Sequence, residues 1–311
     1  MERQENSAEA ITQLAVKIAA SLYGAIPRTH LYRSARSHVF RLDFSDGRES
    51  KVLKIARIGC EEDVLREQQI LPALCLRGFE VPDIEYTQEA ADFGVPFTIM
   101  SFVVGGGMEH VGGMAPAIAR AAYEHLGHFM ARLSVLDAQT IPGAQTDARI
   151  YKYIEYNRTE YREVLRLHPR CTPRLVELFE RGFDLQLEMT GFAHWDGLQV
   201  VTDGVNTFAV IDWGIAGVGN RLFDLSMFLM WHGFTVPQMK GLPLYPEWRA
   251  AVLHGYSGGR PLTEAARMQM HLLGMSFGIR QAMAMAQHKE PKADDYLTFI
   301  EAEDAAFQSA S

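Results

Sequence analysis

The spacing of apolar residues changes period several times along the chain. Ile11, Leu14, Ile18 and Leu22 recur at helical spacing, Asn6 and Glu9 form a capping-box pattern ahead of them, and Gly24 stands where the helix would end. "SHVFRLDF" switches to period two, with His38, Phe40, Leu42 and Phe44 on one face, and the turn signal "SDGRE" leads into the apolar "SKVLKIAR". This pattern predicts a β-hairpin. "CEEDVLREQQILPALCLRG" opens with acidic residues suited to a helix N-terminal dipole, carries Val64, Leu65, Ile70, Leu71 and Leu74, and stops near Gly78. "VPDIEYTQEAADFGVPFTIMSFVVGGG" predicts two more strands around a polar turn, closed by Gly105 to Gly107.

From Ala115 onward the pattern is mainly helical. "PAIARAAYEHLGHFMARLSVL" and "TPRLVELFERGFDLQLEM" each carry a 3.6-residue stripe, and the Met-rich "RMQMHLLGMSFGIRQAMAMAQ" reads as a core-filling helix. Between them, "LQVVT" and "TFAVIDW" predict two strands joined by the turn "DGVN". The expected order is a small antiparallel sheet with one helix, residues 1–103, followed by a larger helical part with an inserted hairpin, residues 104–311.

Composition narrows the class of protein. The chain has 311 residues, 48% hydrophobic and 22% charged, which is the balance of a soluble globular protein. Its N-terminal stretch is too polar for a signal peptide and no apolar run reaches membrane-spanning length. A formal net charge of -8 argues against a nucleic-acid partner and is compatible with a cationic substrate. Cys60, Cys75 and Cys171 show no metal-ligand or pairing spacing, which suits the cytoplasm.

Four features then occur in a meaningful order. Lys54 lies in a hairpin strand, Glu67 in the following helix ("LREQQIL"), "HWD" spans His194 to Asp196, and an apolar strand ends in "VIDWG" with Asp212. Together they resemble the aminoglycoside phosphotransferase and choline kinase group of kinase-fold enzymes. The most specific matches are "HWD" and "FAVIDWGIAGVGNRLFDLSMF", against the group's His-Gly-Asp, Ile-Asp-Trp-Gly and Gly-Asp-Pro-x-x-Asp-Leu. "VFRLDF", "VLKIA" and the hinge-like "PFTIMSF" follow the same order.

This resemblance implies a bilobal protein-kinase-like α+β fold. It also implies an ATP-dependent transfer, with GTP possible, of phosphate to a hydroxyl of a small polar molecule such as an aminoglycoside, amino sugar or amino alcohol. Lys54 would hold the α- and β-phosphates, Glu67 would fix Lys54, and Asp212 would be a hard oxygen ligand for Mg2+. Asp196 would take or orient the proton of the attacking hydroxyl. His194 and Asp224 would brace the loop, Ser34 and Ser37 would contact phosphate, and the backbone around Ser101 and Val103 would bond the adenine.

Two departures shape the functional reading. After Asp212 the chain runs almost directly into the apolar helix at Phe223, which leaves no room for the activation segment of a protein kinase. The loop beginning at His194 carries Trp195 in place of Gly and Val201 where the group has a metal-binding Asn. A loop shortened by two residues would put Gln199 at the Asn position, with the same amide oxygen on a longer stem. Trp195 would then either pack the contracted loop or wall the acceptor pocket. The alternative from another class is a kinase-fold nucleotide-binding module without transfer activity.

Overall fold

The computed structural model describes residues 8–32, 34–88, 93–144 and 148–310. The capping pair of Asn6 with Glu9 therefore lies partly outside the described residues. Helix α1 (Ala8–Tyr23) ends at Gly24, whose φ of 64° reverses the chain. Five strands follow, interrupted by one helix: β1 (Arg28–Tyr32), β2 (Ser37–Asp43), β3 (Lys51–Ala56), α2 (Glu61–Cys75), β4 (Ile84–Gln88) and β5 (Phe97–Ser101). They form one antiparallel sheet in the order β1-β2-β3-β5-β4.

Strand alternation divides this sheet into two jobs. Leu53 and Ile55 of β3, with Phe40, Leu42, Phe97 and Ile99, pack against Ile11, Ala15, Ile18 and Ala19 of α1. Lys54, one residue out of phase, projects from the opposite face, toward α2. The sheet thus carries both helices that the pattern predicts, the N-terminal amphipathic one packed on its apolar face and α2 on the side of Lys54.

After the sheet come β6 (Gly106–Gly107), a 3₁₀ turn (Met108–Gly113), α3 (Pro116–Ser134), α4 (Ala148–Leu167) and α5 (Pro173–Gln186). Short strands β7 (Gly191–Ala193), β8 (Gln199–Thr202), β9 (Phe208–Ile211) and β10 (Gly217–Gly219) precede α6 (Phe223–Phe234), α7 (Trp248–Ser257), α8 (Glu264–Gln287) and α9 (Ala293–Ala310). β8 and β9 pair antiparallel around a turn in which Asp203 Oδ1 accepts the amides of Val205, Asn206 and Thr207 at 2.8–2.9 Å. β6 extends that hairpin to three strands, and β7 pairs with β10.

Two cores hold the helical part. One joins Ile70, Leu71 and Leu74 of α2 to Leu126, Phe129 and Met130 of α3 and to the fully buried Trp213. The other packs α5, α6, α8 and α9 around Phe179, Phe183, Met230, Met283 and Tyr296. The methionines of α8 serve this core, as their spacing predicts. α3 and α7 meet at backbone distance: a Cβ on Gly127 would lie 2.1 Å from Val252 O, and one on Gly255 would lie 2.0 Å from Glu124 O. α6 is apolar all round and runs buried through the helical part.

Candidate active site

Glu67, Lys54 and Asp212 form a connected chain of charge. Lys54 Nζ lies 2.8 Å from Glu67 Oε2 and 2.6 Å from Asp212 Oδ1. Burial disfavours the ammonium, but the two carboxylates outweigh it and raise the Lys54 pKa well above the ordinary lysine value. Glu67 Oε1 accepts the backbone amide of Trp213 at 2.9 Å, so one carboxylate ties the sheet lysine to the residue after Asp212. Asp212 itself sits in the left-handed region with φ 66°. Burial opposes its ionisation, yet the neighbouring Lys54 holds its pKa below the usual carboxylate range.

The loop from β7 to β8 is compact because three of its residues are left-handed: Trp195 (φ 67°), Gly197 (φ 72°) and Leu198 (φ 49°). For the two non-glycine residues this costs ~1–2 kcal/mol each. Asp224, buried at the start of α6, offsets that strain by accepting the amides of His194 at 2.7 Å and Trp195 at 3.1 Å. Burial pushes the Asp224 carboxyl above its ordinary pKa, against the pull of His194 and of these two amides.

His194 completes the brace. Its Nδ1 accepts the Asp196 amide at 3.3 Å, which leaves Nε2 to carry the proton donated to Ile211 O at 2.9 Å. The ring therefore spans the loop and the strand end before Asp212, the bracing role that the resemblance implies. Among the described residues the Asp196 carboxylate has no hydrogen-bond or ion-pair partner, and the side chain is half-buried. It is positioned by its backbone and chemically uncommitted.

Trp195 packs the loop against its surroundings and also reaches the surface. Its ring lies 4.5 Å from that of Phe223 and its indole N–H donates to Val218 O at 3.1 Å, while another edge borders surface cavities beside Tyr153. A side chain at Gly219 would meet Trp195 Cζ2 at 2.7 Å, so the indole needs a glycine beneath it.

Gln199 opens β8 opposite Ile211, and its Nε2 donates to Asp212 Oδ2 at 3.4 Å. Val201, two residues on, is paired with Ala209 and offers no polar atom to a metal. The loop thus brings an amide side chain to the Asp212 carboxylate. Among the described residues no three His, Cys, Asp or Glu side chains converge to hold a metal. One carboxylate plus one amide oxygen nevertheless suits Mg2+, which takes few protein ligands and completes its shell from phosphates and water.

The nucleotide contacts expected at the sheet edge are less uniform. Ser34 Oγ and Ser37 Oγ lie 3.3 Å apart, with Ser37 fully buried at the start of β2. The Ser101 amide donates to Asp83 O at 2.9 Å and its hydroxyl accepts the Asp83 amide at 3.0 Å. Its amide is therefore committed inside the sheet and does not serve a nucleobase. Val103 has no backbone hydrogen-bond partner among the described residues.

Sequence reasoning did not find the group beyond the hinge. Glu109, in the 3₁₀ turn, pairs with Lys240 at 2.5 Å across 131 residues, and buried His232 bonds Tyr123 Oη at 2.8 Å. No local pattern signals such a pairing.

Comparison with known proteins finds the same fold. The chain resembles an aminoglycoside-3'-phosphotransferase of type VIII (TM-score 0.57, 21% identity, 84% of this chain and 99% of that one). It also resembles the GDP and kanamycin complex of APH(2")-IIia (TM-score 0.62, 14% identity, 94% and 98% covered). A third neighbour is the macrolide 2'-phosphotransferase MphH from Brachybacterium faecium (TM-score 0.57, 18% identity, 93% and 97% covered). No curated protein sequence matches the chain. The sequence profile of the phosphotransferase enzyme family, APH, matches residues 31–270, and the chain belongs to that family.

Proposed function

We propose that the protein is an ATP-dependent O-phosphotransferase acting on a hydroxyl of a small polar molecule. The observation that carries this reading is the Glu67–Lys54–Asp212 ion-pair chain beside an uncommitted Asp196 carboxylate. Phosphoryl transfer needs positioning and charge neutralisation more than covalent chemistry, and these side chains supply both. Neighbours solved with GDP or ATP support nucleotide use. On this reading residues 1–103 hold the nucleotide and residues 104–311 supply the loop and the acceptor pocket.

When a nucleotide arrives, Lys54 turns from Asp212 to the α- and β-phosphates while Glu67 keeps its ammonium in place. Asp196 accepts the proton of the acceptor hydroxyl as that oxygen bonds to the γ-phosphorus and the bond to the β–γ bridging oxygen breaks. His194 and Asp224 hold the loop still during the exchange. Mg2+, held by Asp212 and Gln199, would neutralise the polyphosphate.

Amine-bearing acceptors such as aminoglycosides, amino sugars and amino alcohols draw support from the net charge of -8 and from the kanamycin and gentamicin complexes of neighbours. Cytoplasmic residence draws support from three free cysteines. Among the described residues no helix is long and apolar enough to cross a membrane. The alternative, a nucleotide-binding module without transfer, keeps one supporting observation, the absence of the usual loop Asn. An ADP-release screen against hydroxylated amines and sugars, with 31P NMR of products, decides between them. Nucleotide binding without transfer to any acceptor or to water supports the module.

A further inference from the structure

The turn between β1 and β2 carries Arg36, a cation that the mechanism above leaves unused. Its backbone is fixed on both sides: the Arg36 carbonyl accepts the Arg57 amide at 3.2 Å, and the next residue, Ser37, is buried. Its side chain is 39% exposed, with Nη1 standing 3.8 Å from Oδ2 of Asp63, one turn before Glu67 on α2. That separation exceeds hydrogen-bond range, and a part-exposed pair of this kind contributes little. Lys54, by contrast, is buried and held at 2.6–2.8 Å by two carboxylates. Arg36 is thus a cation on a fixed turn whose side chain an incoming anion can redirect at small cost.

The surroundings of Arg36 differ from those of Lys54. Its guanidinium lies within electrostatic range of the Asp212 carboxylate. It also borders an open cavity of ≈ 190 Å³ that is shared with Asp63, Arg66, Trp195 and Ile215 and that Lys54 and Glu67 do not reach. Trp195 directly precedes Asp196, and Ile215 lies in the turn that follows Asp212. Asp63 packs on that same turn, since a Cβ on Gly214 would lie 3.1 Å from Asp63 Cβ. Lys54 therefore meets Asp212 from beneath the sheet, and Arg36 meets it from the side of the loop that carries Asp196. Two arginines against one carboxylate give the described lining of this cavity a positive charge, which suits an anion.

We infer that Arg36 is a further catalytic residue, whose guanidinium leaves Asp63 and binds oxygens of the γ-phosphate during transfer. The inference rests on the phosphotransferase reading. As the acceptor oxygen bonds to the γ-phosphorus, its proton passes to Asp196, and the electron pair of the breaking bond stays on the β-phosphate oxygen of ADP. Between the two, negative charge spreads over the equatorial oxygens of the phosphoryl group. A planar guanidinium bonds two of those oxygens at once, which an ammonium cannot do. The two cations then divide the triphosphate, with Lys54 on the α- and β-phosphates that remain and Arg36 on the group that moves.

The test needs no acceptor. Calorimetry compares binding of the non-hydrolysable analogue AMP-PNP with binding of ADP, each with Mg2+, to the wild type, Arg36→Met and Arg36→Lys, with GMP-PNP and GDP in parallel. Arg36→Met should weaken the triphosphate analogue about ten- to a hundredfold, the loss expected for a charge-assisted contact, and leave the diphosphate within about twofold. Arg36→Lys should fall between, because it keeps the charge and loses the fork. A merely structural role would weaken both nucleotides alike, so equal losses overturn the assignment, as does wild-type affinity for the triphosphate analogue in Arg36→Met. Either of these results leaves the phosphotransferase reading standing. Binding of none of the four nucleotides by the wild type overturns that reading and the role of Arg36 with it.

Discussion

The Glu67 carboxylate accepts the Trp213 amide at 2.9 Å while its other oxygen holds Lys54 at 2.8 Å. A single helix residue therefore sets the distance between Lys54 and the strand end that carries Asp212. Glu67→Ala should lower unfolding stability by ~1–3 kcal/mol, because it leaves the buried Trp213 amide without its acceptor and the buried ammonium with Asp212 as its one remaining carboxylate. Glu67→Gln keeps an acceptor for the Trp213 amide and should cost less, yet it should still shrink the thermal shift produced by ATP with Mg2+. Denaturant titrations and thermal melts measure both. Equal nucleotide shifts in wild type and Glu67→Gln would separate Glu67 from the nucleotide site.

Asp196 and Asp212 should fail in different ways. Asp196→Asn removes the proton acceptor and should lower turnover by ~10²–10⁴ with little change in nucleotide affinity. Asp212→Asn should instead abolish the magnesium dependence of nucleotide binding. Steady-state kinetics paired with calorimetric ADP binding distinguish the two, and matching modest losses would contradict the division of labour.

How Gln199 functions depends on reach. Gln199→Ala should cut turnover and raise the magnesium requirement without unfolding the protein. Gln199→Asn shortens the side chain by about 1.5 Å and should impair activity as well, although it restores the residue that the family usually carries. Wild-type magnesium curves in both variants would make Gln199 a bystander.

Much of this site was legible in the chain. Lys54, Glu67 and Asp212 sit in elements with strong local periodicity, so the resemblance could be laid onto them residue by residue. Gln199 was placed beside Asp212 by the β8–β9 hairpin, whose apolar runs and "DGVN" turn are plain. β1 was not foreseen, because "RTHLY" is an edge strand whose pattern of exposure does not alternate cleanly. β6, β7 and β10 are two or three residues long and carry no periodicity. The engagement of Ser101 with Asp83 and of Glu109 with Lys240 arises only from tertiary packing, which local pattern does not encode.

The buried Asp224 clamp predicts a loop-specific defect. Asp224→Ala leaves the His194 and Trp195 amides without their acceptor, a loss of ~1–3 kcal/mol for each buried group. Turnover should fall further than stability alone accounts for, because the left-handed loop loses its restraint, while ADP affinity should persist. Kinetics measured well below the variant's melting temperature check this, and full activity there would assign Asp224 a purely structural role.

One pH effect follows from the C-terminal helix. Asp304 accepts two hydrogen bonds from Arg174 at 2.8–2.9 Å and one contact from His271 at 2.8 Å, which lower its pKa from 3.8 to about 2. Its folded-state value is depressed, so its stabilisation is present above about pH 4 and is lost as the pH falls toward about 2. The melting-temperature gap between wild type and Asp304→Asn should narrow across that window. A gap independent of pH would show that Asp304 acts without its charge.

α6 begins with the carboxylate that grips the loop from β7 to β8 and ends near Trp231 and His232, which line a cavity of ≈ 350 Å³. Its 12 residues span about 18 Å as one unbroken, buried rod. The two ends therefore behave as the arms of a lever. Between them the helix has no break to absorb a displacement. A kink introduced midway along α6 should therefore loosen the grip on the loop while leaving every contacting side chain in place.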